Sequence, residues 1–311
     1  MARSFDTDRP AEPDVVGGMA LRIGSGITLA LMFAGVKWGG QHGVGVVESL
    51  FYRQLGTAVC ATAWVAAGPG FGSLHTKRVK AHVLRMTLGV VAMGLNFLAF
   101  ILLPLAEATA IGFSVPLFAT LLAAVVLGER TGWWRWGAVV IGFIGVLVIV
   151  QPGSGHIGGL GGLVALGAAL TTATVTIAIR RLGATEAAAT TVFWFGCSSL
   201  VPLGIAMLFV AKAHNAETFA VILGFSLAGG LAQLLLTGSL RLAPVALVMP
   251  MDYFALIWAS LLGWLIFAQL PSHWTAVGVP IVIGAGLVIL WRERRLRRKA
   301  SALAAMSEEA A

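Results

Sequence analysis

The segment PLAEATAIGFSVPLFATLLAAVVLGE, residues 104–129, has a second version 140 positions later, PVALVMPMDYFALIWASLLGWLIFAQ, residues 244–269. Matched proline, tryptophan and glycine positions at nearly one offset argue against chance similarity between apolar strings, so we interpret the chain as two copies of one design. The matched pairs, the last three after one inserted residue, are Pro104 and Pro244, Ala119 and Ala259, Leu121 and Leu261, Leu122 and Leu262, Trp133 and Trp274, Gly137 and Gly278, and Gly145 and Gly286.

Both copies belong to a chain with the composition of a membrane protein. Of its 311 residues, 58% are hydrophobic and 11% are charged, whereas soluble domains carry about a quarter charged residues. A membrane-spanning helix needs about 20 mostly apolar residues, and lipid cannot satisfy free backbone groups in any other single segment. Ten stretches are predicted to be such helices: 20–38, 46–67, 84–104, 106–127, 133–150, 160–179, 190–211, 219–239, 244–267 and 274–291.

The basic residues predict how these helices are oriented. Only Lys37 and Lys212 fall on one side, and Arg53 lies inside the second span. Because basic residues favour the cytoplasmic side, both termini are predicted to be cytoplasmic, in a multi-pass protein of the prokaryotic plasma membrane. The eighteen residues assigned to that side are Arg3, Arg9, Arg22, Lys77, Arg78, Lys80, Arg85, Arg130, Arg135, Arg180, Arg181, Arg241, Arg292, Arg294, Arg295, Arg297, Arg298 and Lys299.

The net charge of +8 is explained by this orientation, so no nucleic-acid partner is predicted. The basic run that follows the last span is interpreted as a stop-and-anchor signal. Tryptophans near the span ends indicate contact with membrane lipid at the two interfaces. They are Trp133, Trp134, Trp136, Trp274 and Trp291.

Each copy holds five spans, and this odd number means that the second copy enters the membrane upside down. We therefore predict an all-α integral membrane protein made of two inverted five-helix repeats, an architecture common among secondary transporters. The first repeat covers residues 20–150, the second covers 160–291, and 151–159 form an outer linker. Residues 1–19 are predicted to be a disordered cytoplasmic tail. Residues 292–311 are predicted to be a basic cytoplasmic tail.

Ten spans in two halves, the motif YRQLG and the stretch LLAAVVLGERTGWWRWGAVVIGFIGVLVIV together resemble the drug/metabolite transporter superfamily, above all its EamA-type members. The resemblance covers nearly all of residues 20–291. It implies transport or export of small metabolites, such as amino acids including aromatic ones. The second half departs from the family pattern, because Glu129 is matched by Gln269 and Pro116 by Leu256.

These observations favour a secondary transporter, an exporter or exchanger, that moves a small-molecule substrate by alternating access. A passive channel is the alternative, although proline-broken inverted halves favour a carrier. An enzyme is disfavoured because Asp252, matched by Gly112, has no acidic partner for catalysis at membrane depth. No cofactor and no metal is predicted, since Cys60, Cys197 and the six histidines show no ligand spacing. The oligomeric state is left open.

Asp252 is the most unusual residue of the chain, because it lies inside an apolar run. Ionisable residues at membrane depth usually face a cavity and mark a substrate or proton path. Arg53 is the other such residue, roughly 8 Å away in depth at the helical rise. We hypothesise that a zwitterion bridges them, with its carboxylate on Arg53 and its ammonium on Asp252. The alternatives are a protonated Asp252 and an Arg53 that snorkels outward, and proton coupling is left open.

Four further residues are candidates for substrate binding. Asn96 and Gln233 lie at depth within their spans, as cavity lining or as hydrogen bonds between helices. Trp194 and Tyr253 have rings that could stack against a flat substrate, with core packing as the alternative.

Two prolines and one charged pair complete the set of candidates. Pro116 and Pro250 fall within the fourth span of each half, where a proline removes a backbone donor and breaks the helix. Interrupted spans in corresponding positions of two halves point to a binding site, and a packing kink is the alternative. Glu129 and Arg130 are candidates for a cytoplasmic gate, with a structural surface pair as the alternative.

Overall fold

The computed structural model describes residues 14–68, 70–126, 133–151, 159–182, 186, 188–243 and 249–309. The regular elements of this described part are helices, including two short 3-10 helices, Phe71–Leu74 and Met249–Phe254. The α-helices are α1 Val15–Gln41, α2 Val46–Ala67, α3 Val79–Leu102, α4 Leu105–Gly112, α5 Val115–Val126, α6 Trp133–Val150, α7 Gly159–Leu182, α8 Ala188–Val210, α9 Ala216–Leu242, α10 Ala255–Phe267 and α11 His273–Glu309.

Seven helical segments of the described chain are long and apolar enough to cross a membrane. Two shorter apolar segments, Trp136–Val150 and Met251–Phe267, belong to the fifth and ninth predicted spans. The second predicted span is α2, whose 22 residues include the charged Glu48 and Arg53. The prediction of an all-α membrane protein is therefore confirmed, and each of the ten predicted spans corresponds to helix. The orientation of the termini and the inverted relation of the halves stay predictions.

Large apolar side chains cover the outer faces of the helices. Leu208 and Phe209 of α8 are 82% and 83% exposed. Side chains of this kind on a contiguous surface would favour association or aggregation in water, and they suit a lipid environment. Trp133, Trp134 and Trp291 are also exposed near the ends of predicted spans, where an interfacial belt is expected.

The fourth and ninth predicted spans are each interrupted. Span four divides into α4 and α5 at Phe113, and Pro116 lies in the first turn of α5, where its missing N–H is tolerated. In span nine the 3-10 helix Met249–Phe254 contains Pro250 and leads directly into α10. The rings of Phe113 and Tyr253 pack edge to face with their centroids 5.2 Å apart. The two interruptions therefore contact each other.

Helices of the first half pack mainly on helices of the second half. α1 lies against α9, α3 against α7, α2 against α8, and α6 against α11. Glycines permit these close approaches. A β-carbon on Gly56 would lie 2.3 Å from the carbonyl oxygen of Ser226, and one on Gly278 would lie 2.7 Å from that of Gly145. The two halves are thus intertwined.

The N-terminal segment differs from its prediction. α1 begins directly after Asp14, whose Oδ1 accepts a hydrogen bond from the Gly17 N–H at 2.8 Å. This is an N-cap, so the prediction of a disordered tail over residues 1–19 is wrong from Asp14 onward. At the other end α11 continues to Glu309. Residues 292–311 contain no glycine or proline that would end the helix at the membrane boundary.

Candidate functional site

A cavity of about 280 Å³ lies where helices of both halves meet. Residues of α1, α2 and α3 line it from the first half and residues of α7, α8 and α9 from the second. The interruption of span four contributes Gly112 and Val115. Ligand pockets typically measure about 300–1,000 Å³, so this cavity suits a small molecule. Its polar lining consists of Arg53, Arg85, Asn96, Thr172 and Gln233.

Arg53 reaches the cavity from α2 and is 5% exposed. Its Nη1 donates to Oε1 of the neighbouring Gln54. The Gln54 Nε2 donates to Ser199 Oγ at 2.5 Å and to the Phe195 carbonyl oxygen at 3.4 Å. These bonds to α8 hold the Gln54 amide and, through it, one end of the guanidinium. The Nε–H of Arg53 has no hydrogen-bond partner in the part of the chain that the structure describes.

Arg85 lines the same cavity from α3. Its guanidinium carbon lies 4.1 Å from the centroid of the Phe195 ring, which is a cation–π contact. Its Nε and Nη1 find no hydrogen-bond partner among the described residues. Arg85 lies inside α3, which begins at Val79.

Asn96 and Gln233, two of the predicted binding residues, also line this cavity. The Asn96 Nδ2 donates to the Ala92 carbonyl oxygen at 2.8 Å and to Thr172 Oγ1 at 3.1 Å. The second bond joins α3 to α7 across the two halves, so Asn96 both lines the cavity and links helices. The apolar walls include the rings of Phe33, Phe97 and Phe195.

Asp252 faces Arg22 and not Arg53. Its two carboxylate oxygens accept hydrogen bonds from Arg22 Nε and Nη2, each at 2.5 Å. This two-point ion pair joins α1 to the 3-10 helix Met249–Phe254. The hypothesis of a zwitterion between Arg53 and Asp252 is therefore not supported, since Arg22 already neutralises Asp252. Arg22 is 6% exposed and lies inside α1.

Trp194 and Tyr253 are not among the residues that line the cavity. The Trp194 Nε1 donates to the Leu74 carbonyl oxygen at 3.0 Å and so attaches the 3-10 helix Phe71–Leu74 to α8. Tyr253 packs against Phe113, and its hydroxyl leaves no room for a β-carbon on Gly286 of α11, which would lie 2.7 Å away. Both residues make packing contacts, as in the alternative interpretation.

The remaining predicted residues are distributed unevenly. The break near Pro116 borders the cavity through Gly112 and Val115. Pro250 lies in the interrupted part of span nine. Glu129 and Arg130, the gate candidates, lie outside the described residues.

A second buried polar cluster lies where α3 ends and α4 begins. The Lys37 Nζ donates to the carbonyl oxygens of Leu103 and Phe100 at the C-terminus of α3. The Glu107 Oε1 accepts a hydrogen bond from the Ser272 N–H at 3.0 Å. Lys37 and Glu107 are each 3% exposed. The cluster connects α1, α3, α4 and the start of α11, and neither residue was a binding candidate in the sequence.

Sequence reasoning missed Arg22, Arg85 and Thr172. The two arginines have apolar neighbours on both sides, in ALRIG and VLRMT, and this pattern is typical of residues inside a span. The sequence therefore contained a signal for both arginines. Thr172 carries no comparable signal, because hydroxyl side chains are frequent in membrane helices.

Comparison with known proteins adds the family. The model of the EamA-like transporter family matches residues 16–151. This part of the chain is similar to that family. The predicted resemblance is thereby confirmed over residues that coincide with α1 to α6, the first predicted repeat.

Relatives of nearly full length carry the similarity through the second half. A riboflavin transporter of Rhizobium johnstonii is 28% identical over 295 residues, which are 94% of this chain and 97% of the relative. An S-adenosylmethionine uptake transporter of Rickettsia prowazekii is 26% identical over 80% of this chain and 84% of its own length. A pseudopaline exporter of Pseudomonas aeruginosa is 24% identical over 88% of this chain and 95% of its own length.

A solved crystal structure shares the fold of this chain. Its TM-score is 0.60 at 19% sequence identity, over 89% of this chain and 99% of the other. Together the comparisons point to a multi-pass membrane transporter of small molecules and not to an enzyme. By name, one of these relatives is an uptake transporter and one is an exporter, and the name of the riboflavin transporter gives no direction. They lend no support to an aromatic amino acid exporter in particular.

Proposed function

We propose that the protein is a secondary transporter that binds a small metabolite in the cavity between its halves and moves it by alternating access. The observation that carries this proposal is the cavity itself. It is bordered by helices of both halves and by the broken span four, and it holds two arginines among apolar walls. Substrate sites of transporters with inverted repeats lie in this position, formed in part by discontinuous helices.

The packing of the helices supports rocking of one half against the other. If the two halves are exchanged, each span takes the place of the span five positions away in the chain. The contact between spans one and eight, α1 and α9, then becomes a contact between spans six and three, α7 and α3. The observed contacts contain both pairs. The same exchange leaves the pairs α2–α8 and α6–α11 unchanged. This regularity is expected of inverted repeats, whose two gates open alternately.

For substrate and direction, we propose export or exchange of a carboxylate-bearing metabolite such as an amino acid, including an aromatic one. Arg53 would bind the carboxylate, and Asn96 and Gln233 would contact the polar remainder. Their common position in the cavity lining supports these roles. The three phenylalanine rings would accommodate an apolar side chain. Glu129 and Arg130 remain proposed gate residues.

Counterflow in liposomes tests the carrier mechanism. Purified protein is reconstituted in vesicles preloaded with unlabelled amino acids or related metabolites, and uptake of the labelled compound is followed with and without a pH gradient. A carrier gives saturable uptake and a transient overshoot. Non-saturating flux without overshoot would establish the passive channel instead. A rate that depends on the pH gradient would demonstrate proton coupling.

Arg53→Gln and Lys80→Gln form a matched pair for the same assay. Both remove one positive charge, but Lys80 is an exposed residue at the start of α3 and does not line the cavity. We expect Arg53→Gln to abolish counterflow and Lys80→Gln to preserve it. Equal activity of both variants would contradict the placement of the substrate in this cavity.

A further inference from the structure

The cavity contains guanidinium N–H groups that have no hydrogen-bond acceptor in the part of the chain that the structure describes. Arg53 Nε and Arg85 Nε and Nη1 are buried and lack a hydrogen-bond partner among the described residues. A buried donor on a charged group is costly to leave unsatisfied, and such donors are normally paired. Their number and their common cavity indicate a place for an acceptor that comes from outside the chain.

The charge around the cavity is unbalanced as well. Arg53 and Arg85 repel each other electrostatically, and no aspartate or glutamate is among the described residues that line the cavity. Two acids outside the lining have partners of their own: Asp252 binds Arg22, and Glu186 accepts a hydrogen bond from Thr76 Oγ1 at 2.7 Å. Two buried like charges without a counter-ion are unfavourable. A bound anion would accept hydrogen bonds from the unpaired N–H groups and would also reduce the repulsion between the two arginines.

The arginines are held in place before any ligand arrives. Gln54 fixes one nitrogen of Arg53, and the Phe195 ring lies against the Arg85 guanidinium. Gly89 provides the space for that contact, because a β-carbon there would lie 2.3 Å from Arg85 Nη1 and 2.6 Å from Phe195. A rigid planar guanidinium matches the geometry of an oxyanion such as a carboxylate.

We infer that the cavity selects organic anions: a substrate carboxylate lies between Arg53 and Arg85, with its apolar body against the phenylalanine rings. The inference rests on the proposed function and narrows its substrate class. A net negative charge is preferred over a zwitterion, because no acidic side chain of the described lining can neutralise an ammonium group. Neutral analogues of the same shape bind weakly.

Three matched probes test this charge preference: 3-phenylpropionate, phenylalanine and 3-phenylpropionamide. Affinity for the purified protein is measured in detergent by isothermal titration at neutral pH. We expect 3-phenylpropionate to bind most tightly, phenylalanine less tightly, and the neutral amide at least tenfold more weakly than the acid. Loss of one charged hydrogen bond corresponds to roughly a 10- to 100-fold change in affinity.

The same titration with variants identifies the responsible groups. Arg85→Gln should lower the affinity for 3-phenylpropionate roughly 10- to 100-fold and leave the affinity for the amide nearly unchanged. Arg85→Lys should recover part of the loss because it keeps the charge but not the fork of donors. The exposed Lys80→Gln serves as the control for net charge and should match the wild type.

Several outcomes would overturn the inference. Equal affinities of the wild-type protein for acid and amide would do so, as would the absence of measurable binding by all three probes. This comparison needs no variant, so it remains decisive even where an arginine substitution prevents folding. The proposed function is judged separately: saturable counterflow of a neutral metabolite would retain the transporter and reject the anion site, whereas unsaturable flux would reject the carrier itself.

Discussion

The Arg22–Asp252 ion pair is the polar contact by which α1 is joined to the interrupted part of span nine. Arg22 is almost fully buried, while the Asp252 side chain is 43% exposed. A buried arginine is tolerated when a carboxylate satisfies its donors in two-point geometry, and both distances are 2.5 Å here. The pair therefore neutralises the charge of Arg22, which would otherwise be buried among the helices without a counter-ion.

Asp252→Asn should destabilise the protein because Arg22 stays charged and loses its counter-ion. We expect a decrease of about 1.5–3 kcal/mol in the free energy of unfolding, the range for hydrogen bonds to charged groups. Thermal unfolding in detergent measures it. Glu217→Gln, an exposed site in the first turn of α9, is the control and should change stability by less than about 1 kcal/mol.

A double variant separates the charge from the contact. Arg22→Met with Asp252→Leu removes both charges, and we expect it to be more stable than Asp252→Asn because no unpaired charge remains. If the Asp252→Asn and Glu217→Gln variants were equally stable, the ion pair would not contribute to the stability of the protein. A role of Asp252 in transport would then be open again.

At the scale of the helices, the crossing of α2 and α9 determines where Arg53 lies. The two helices approach so closely that a β-carbon on Gly56 would lie 2.3 Å from the Ser226 carbonyl oxygen. The opposing atom belongs to the backbone of α9, which cannot rotate away as a side chain does. Arg53 lies one helical turn before Gly56, so its position in the cavity depends on this contact.

Gly56→Ala should therefore separate α2 from α9 and displace Arg53. Overpacking typically costs about 1–3 kcal/mol, and we expect a lower melting temperature together with loss of counterflow. Gly26→Ala in α1 is the matched control, because nothing lies within 4 Å of its added β-carbon. That variant should be neutral or slightly stabilising. Equal melting temperatures of the two variants would contradict the tight crossing.

At the scale of the molecule, helices of both halves enclose the cavity that contains Arg53 and Arg85. The basic residues predict the orientation: the loop that contains Lys77 is assigned to the cytoplasm, and the connection from α1 to α2 is assigned to the outside. Arg22 and Arg85, two of the residues counted toward that bias, lie inside the N-terminal parts of α1 and α3.

Single cysteines at Lys77 and Gln41 test this orientation in a variant without Cys60 and Cys197. Both positions are exposed. In intact cells a membrane-impermeant maleimide should label Gln41→Cys, whereas Lys77→Cys should react only after the cells are opened. Labelling of both positions from outside would contradict an arrangement with cytoplasmic termini.

The sequence by itself determined the class of the protein and its helices. Long apolar segments and the scarcity of charge are properties of composition, and the match of residues 104–129 to 244–269 required no coordinates. These inferences succeed because the bilayer imposes length and hydrophobicity on each span separately. Arg53, Asn96 and Gln233 were selected for the same reason, since a polar residue at depth is conspicuous in any apolar segment.

The partners of these residues were decided only by the tertiary structure. Arg22 and Asp252 are separated by 230 positions, and nothing local in the chain indicates that Arg22 and not Arg53 faces the carboxylate. Depth within the membrane follows from the length of a span, but rotation and neighbours follow from how all the helices pack. For this reason Trp194 and Tyr253 do not line the cavity, whereas Arg85 does. Pairing across the two halves is a property of the whole bundle, and the linear sequence specifies it only through the sum of those contacts.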